Sequence, residues 1–206
     1  MSDEISIFSV DRPLSWSAIS SFEYDKEQFY QKYWLGEKSP DTKETLFGKM
    51  VGERLASDPA FLPQVPRRPI FEHGLRADIA GLPIIGYLDT YEKAVGFDEF
   101  KTGKKPWDQE RVDNHGQMTM YFLLLYLVEQ LTPDELQATL HWLPTQDNGD
   151  FTIGFVNEKD VRSFPTTRTM KQLLEFGTFI HQTHKEMLAF VKYRATLPQR
   201  NPVVHA

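Results

Sequence analysis

The chain has 206 residues, 29 acidic against 23 basic, a net charge of −6, and 40% hydrophobic content with four Trp, eight Tyr and 15 Phe. That composition belongs to a folded globular protein rather than a disordered one, and the length suits a single domain over residues 1–206. The absence of Cys excludes disulfides, thiolate metal sites and Cys-bound iron–sulfur clusters. No apolar run reaches the length of a membrane span, Leu123–Val128 included, and the opening Met-Ser-Asp-Glu lacks the basic and apolar regions of a signal peptide. A cytoplasmic location is the expectation.

Elements alternate along the chain. Ser17 is placed to cap a helix running to about Trp34, with Phe22, Phe29 and Tyr33 at near-helical spacing. A polar loop from Gly36 to Thr45 leads to a second helix, Leu46 to about Ala56, stopped by Asp58-Pro59. Pro63, Pro66 and Pro69 mark an extended connection. Strands are predicted at about 71–77, 84–88 and 91–101, with a turn near Asp89–Thr90. A third helix is predicted over Glu110–Gln130, then strands at Leu136–Leu143 and Phe151–Phe155 around an Asn148-Gly149 turn. The last helix is predicted over Thr166–Tyr193, and the tail from Pro198 is expected to be loose. The order predicts an α/β fold, a central mixed β-sheet flanked by helices, with its core at about 14–195.

The chemistry lies in three short pieces. Asp89 ends the apolar run Ile84-Ile85-Gly86-Tyr87-Leu88. Glu99 and Lys101 follow the run Tyr91–Phe97 and share one side of a strand, because side chains alternate with period two. If the strands form a hairpin, Asp89 falls beside Glu99, and two carboxylates and an ammonium converge on one patch that a divalent cation would neutralise. Gln117 and Tyr121 share a helix face four residues apart. Taken singly, Asp89 is an ordinary turn residue, Glu99 with Lys101 an ordinary solvated pair, and Gln117 with Tyr121 the border of a core.

Together, in this order, they resemble the PD-(D/E)XK nuclease superfamily and its RecB-like exonuclease branch, which joins an Asp at one strand end to an acid-x-Lys on the next and a Gln-x-x-x-Tyr helix. Leu14-Ser15-Trp16-Ser17 with Phe22, Phe29-Tyr30 and Tyr33-Trp34-Leu35-Gly36 is similar to the family's opening helix, and Phe47–Glu53 to its second. The resemblance implies a restriction-endonuclease-like core and Mg²⁺- or Mn²⁺-dependent hydrolysis of DNA phosphodiesters. Asp89, Glu99 and the Phe100 carbonyl would be metal ligands, Lys101 would act on the attacking water, and Gln117 and Tyr121 would position the DNA. Exonuclease action on linear ends, in repair, recombination or phage DNA processing, is favoured over endonuclease action. A helicase or recombination protein would be a separate partner, since Gly48-Lys49 lacks the spacing of a nucleotide-binding loop. Where the branch usually carries a metal-binding His on the second helix, this chain has Gly52, so Glu53 is the expected substitute ligand.

Net acidity is unusual for a phosphate-binding protein. Lys104, Lys105 and Arg111, with Lys101, form the best candidate DNA-facing loop, because they join two motif-bearing elements. Arg67-Arg68 and Arg76 precede the first motif strand, and Arg162, Arg168 and Lys171 are assigned to the start of the last helix. His181 and His184, one turn apart on the last helix, are read as solvated or capping rather than as a metal site; His115, just ahead of Gln117, is not assigned to a phosphate, and His73 is uninformative. The alternatives are an inactive nuclease-fold module that holds DNA or docks into a larger complex, and a purely structural subunit.

Overall fold

The computed structural model describes residues 6–149 and 152–197. Strand β1, Leu14–Ser15, leads directly into helix α1, Trp16–Tyr24. The cap is Ser15, not Ser17: its hydroxyl accepts the Ala18 N–H at 3.3 Å. The single helix predicted to Trp34 is three pieces. Asp25 is extended and its carboxylate accepts the Glu27 and Gln28 N–H groups, so it ends α1 and starts α2, Lys26–Phe29. A short polar side chain competing for backbone donors breaks a helix in this way. A π-turn follows at Tyr30–Trp34. Helix α3, Lys43–Ser57, starts ahead of the predicted Leu46 because Thr42 caps it through the Thr45 N–H at 3.2 Å.

Three strands come next: β2, Ile70–Ile79; β3, Leu82–Glu92; and β4, Gly96–Gly103. The β3–β4 turn lies at Glu92–Gly96, later than the predicted bend at Asp89–Thr90, with Ala94 left-handed at φ +56°. Tyr91 therefore belongs to β3. Thr90 pairs with Asp98, the last pair before the strands part, and Asp89 and Glu99 are the residues just beyond it.

Helix 110–130 is divided into α4, Gln109–Asp113, and α5, Gly116–Glu129. Asn114 closes α4 by donating its side-chain amide to the Glu110 carbonyl at 2.9 Å. Strand β5, Gln137–Asp147, is longer than predicted, and β6, Ile153–Phe155, returns from it. Gly149 is left-handed at φ +81°, and Asn148 N–H donates to the Thr152 carbonyl at 3.1 Å, in keeping with a turn there. Residue 151, predicted to open β6, lies outside the described residues, as does the tail from Pro198.

Strand β7, Arg162–Thr166, was not anticipated. It includes Pro165, which by sequence marks the approach to a helix; as a strand on the border of the sheet it tolerates a residue with no N–H. Helix α6, Met170–Thr196, starts after it, capped by Thr169 with Gln172 in a reciprocal box. Arg162 thus sits in a strand and Arg168 in the connection, not in the last helix, whereas Lys171 is its second residue.

The seven strands form one mixed sheet, with β1 parallel to β3, β4 parallel to β5 and the remaining pairs antiparallel. Helix α5 is buried on every side from Met118 to Leu125. A helix apolar all round is an interior element, and α5 packs against β2 and β3 beneath α1 and α6. Helix α3 closes a second cluster, Val51 and Leu55 against Phe100 and Leu143. Among the described residues no helix is long and apolar enough to cross a membrane.

Candidate active site

The sheet forks at the predicted motif. One edge of β3 pairs with β2 from Ile70↔Tyr91 to Ile79↔Leu82, with the pair Glu72↔Asp89 missing from the register. Its other edge pairs with β1 at Ile84 and Ile85, and with β4 only from Thr90 to Glu92. Beyond Asp98, β4 leaves β3 and runs beside β5 as far as Gly103. Asp89 and Glu99 stand at that parting. A backbone donor freed where a ladder ends needs another acceptor, and Asp89 Oδ2 takes the Phe100 N–H at 2.6 Å.

Glu99 and Lys101 point to the α5 side of β4, as alternation requires. Glu99 is 1% exposed, and its Oε1 lies 2.5 Å from Lys101 Nζ. Lys101 Nζ also donates to Gln117 Oε1 at 2.8 Å, and Gln117 Nε2 donates to the Tyr121 hydroxyl at 2.6 Å. The second lone-pair oxygen of Glu99, Oε2, is buried and has no partner. Tyr121 lies close over β3 because Gly86 leaves room: a Cβ there would come within 2.9 Å of the Tyr121 ring and 2.7 Å of Leu124. All five residues expected to form a site from the sequence are therefore brought together.

The charges are strongly coupled. Burial drives the Asp89 carboxyl well above the usual carboxylate range, and the neighbouring Glu99 charge adds to this. Burial works to lower the Lys101 ammonium, but Glu99 and Asp89 outweigh it and raise the group above its ordinary value. Tyr121 is held protonated by burial, then by the Glu99 charge.

Asp89 opens onto a cavity of about 970 Å³ between α3, β2 and the fork, lined by Glu53, Glu72, Asp89, Phe100 and Lys101 among others, with Glu99 buried behind it. Glu53 lies on the lining beside Gly52, where an added Cβ would meet nothing within 4 Å. Among the described residues no three His, Cys, Asp or Glu side chains stand close enough to enclose a metal ion. The residues present nevertheless suit a hard divalent cation that keeps part of its water shell: the Asp89 and Glu99 carboxylates, one lysine paired with Glu99, and a buried carboxylate oxygen with no donor.

The basic residues are less available than their spacing suggests. Lys104 is paired with Asp147 and stands 3.8 Å from Glu44. Arg111 stacks on Trp107 at 3.7 Å and donates to the Pro106 carbonyl at 3.0 Å. Lys105 is exposed just beyond β4. Arg67 is spent on the Leu55, Asp58 and Leu62 carbonyls, and Arg68 faces buried Asp98 at 3.3 Å. Arg168 is 4% exposed and ties the Val112 and His115 carbonyls to Thr119. Neither Arg168 nor Glu72 was singled out as functional from sequence. Glu72 stands opposite Asp89 by count, unpaired between Phe71↔Thr90 and His73↔Leu88, and lines the same cavity; a lone Glu in a strand has no spacing signature.

No protein-family model matches the chain, and no curated protein matches it. Among solved structures it is similar to a "putative exonuclease" from Eubacterium rectale, with a TM-score of 0.59 at 12% identity over 93% of this chain and 90% of that one. It also aligns with the structure of SSO0001, at a TM-score of 0.45 and 11% identity over 90% of this chain and 81% of that one. At such identities the first likeness is one of fold, which in this chain is a central mixed sheet of seven strands flanked by helices.

Proposed function

We propose that the chain is a metal-dependent deoxyribonuclease of the PD-(D/E)XK type, close to the RecB-like branch, that degrades DNA from linear ends. The observation that carries this reading is the continuous chain of contacts from Glu99 through Lys101 and Gln117 to Tyr121, with Asp89 at the same fork. The exonuclease-named structure of like fold is in keeping with it.

Asp89, Glu99 and the Phe100 carbonyl would hold Mg²⁺ or Mn²⁺, with Glu53 as a further ligand from α3. The cation supplies Lewis-acid polarisation and a more acidic bound water. Lys101, fixed between an acid and an amide, orients the attacking water and faces the negative charge that grows on the phosphate. Gln117 sets the direction of the Lys101 ammonium and, with Tyr121, borders the place of the scissile phosphate. Lys105, and Lys104 and Arg111 once exchanged from their internal partners, would meet the DNA backbone. Such contacts weaken as salt rises.

Digestion of linear and covalently closed DNA, duplex and single-stranded, with Mg²⁺, Mn²⁺ or chelator tests the reading. Metal-dependent loss of linear forms alone, absent in a folded Lys101→Ala variant, is the expected result. Cutting of closed circles moves the reading to an endonuclease. No cutting with any metal leaves a nuclease-fold docking or DNA-holding module, which the internally paired Lys104 and Arg111 and the Gly52 position would then explain.

A further inference from the structure

Strand β2 departs from regular geometry at one residue. Glu72 has φ +49°, in the left-handed region, while its neighbours Phe71 and His73 keep their register with Thr90 and Leu88. The strand continues undisturbed on either side, so the departure is confined to the position opposite Asp89. A glycine adopts this conformation at no steric cost, and a residue with a Cβ does not. Here the residue is a glutamate that lines the same cavity as Asp89 and Lys101. It lies near enough to Glu99 for that charge, after burial, to raise its carboxyl above the ordinary range.

Two facts show that the cluster holds more acids than cations to pair them. The fork carries Glu72, Asp89 and Glu99 against one ammonium, Lys101, which is already bonded to Glu99 and Gln117. Glu99 Oε2, in a side chain 2% exposed, is buried with no donor of its own. A buried carboxylate oxygen without a donor is costly unless a cation meets it. The three acids are not gathered tightly enough to enclose an ion unaided, as like charges at close range would dictate. Glu72, on the cavity lining, is the exposed one of the three, whereas Asp89 is half-buried and Glu99 buried.

We infer that Glu72 is a third carboxylate of the cation site, added from β2 and turned toward Asp89 by its left-handed backbone. This rests on the metal-dependent reading above and goes beyond it, since that reading needs only Asp89, Glu99, the Phe100 carbonyl and Glu53. Glu72 would strengthen the hold on a divalent cation from the β2 lining of the cavity it shares with Asp89 and Lys101.

The test is Mn²⁺ titration of the full chain, followed by the electron paramagnetic resonance of free Mn²⁺ and by the rise in Tm on Mn²⁺ addition. The variants are Glu72→Gln, Glu72→Gly and Asp89→Asn. Glu72→Gln is expected to weaken Mn²⁺ binding about 10- to 100-fold, the range for losing a group that supports a metal's ligands, and to lose most of the Mn²⁺-dependent Tm rise. Glu72→Gly is expected to lose the same affinity while unfolding, without metal, at a Tm no lower than the parent, because glycine suits φ +49°. Wild-type Mn²⁺ affinity in both Glu72 variants, with Asp89→Asn impaired, overturns the role of Glu72 and leaves the metal site standing. No Mn²⁺ binding by the parent chain, or undiminished binding by Asp89→Asn, overturns both.

Discussion

Lys101 and Gln117 stand 16 residues apart in the chain and are joined by one hydrogen bond of 2.8 Å, from the end of β4 to the first turn of α5. Both partners are constrained from behind, Lys101 by Glu99 and Gln117 by the Tyr121 hydroxyl. A flexible ammonium is thereby given a single direction.

A hydrogen bond to a charged group is worth about 1.5–3 kcal/mol, so removing the acceptor in Gln117→Leu should slow DNA cleavage by about 10- to 100-fold. Tyr121→Phe keeps the ring in the Gly86 gap and loses only the hydroxyl, so its effect should be several-fold. Single-turnover cleavage rates check both, with circular dichroism to show that the fold is retained. Equal rates for Gln117→Leu and the parent would separate Gln117 from the chemistry.

Arg168 should be worth far more to stability than a surface arginine. Its guanidinium donates to Thr119 at 2.8 Å, the Thr167 carbonyl at 2.7 Å, and the Val112 and His115 carbonyls at 3.1 and 3.3 Å. Arg168→Met leaves buried carbonyls at the α4–α5 elbow without donors, at a cost of about 3–5 kcal/mol. Arg168→Lys should recover little, because an ammonium cannot reproduce the planar fork. Urea unfolding measures the loss. Amide exchange should accelerate first around Gly116 and Gln117.

His115 gives the elbow a pH dependence. Burial, then the charges of Lys101, Arg111 and Arg168, lowers its imidazole to about 4 from 6.5. The unfolded chain therefore binds the proton more tightly than the folded one between those values. Stability from this group is fully present above about pH 6.5 and is lost progressively as pH falls toward 4, by an amount on the order of 1–3 kcal/mol. Chemical unfolding at a series of pH values should show this slope, and His115→Gln should flatten it. A slope unchanged in that variant would assign the dependence to other groups.

How far the sequence carries is seen residue by residue. Asp89, Glu99 and Lys101 were legible because strand alternation and hairpin register are local rules, and they hold even though the turn lies at Glu92–Gly96 and not at Asp89–Thr90. The break between α4 and α5 was hidden, because no Pro interrupts residues 109–129; Val112 and Met118 are both buried, but from separate helices. Strand β7 was masked by Pro165, whose usual meaning is a helix boundary and which here occupies the sheet's border beside Thr139. Arg67, Arg68 and Arg168 looked like surface cations; their partners are carbonyls and an acid remote in sequence, and no local pattern encodes those. Glu72 was invisible for the same reason, since its role depends on a register and a backbone angle.

The fork in the sheet has one more consequence. Asp89 rides with β2 and β1, whereas Glu99 and Lys101 ride with β5, and past Thr90↔Asp98 the two halves are held together at this level by the Asp89–Phe100 bond. A small shear between the halves would alter the spacing of the two acids without breaking a ladder bond in either half. The site is therefore built across a seam, and whatever clamps both sides of it, whether a cation or a bound strand, also sets the distance on which its chemistry depends.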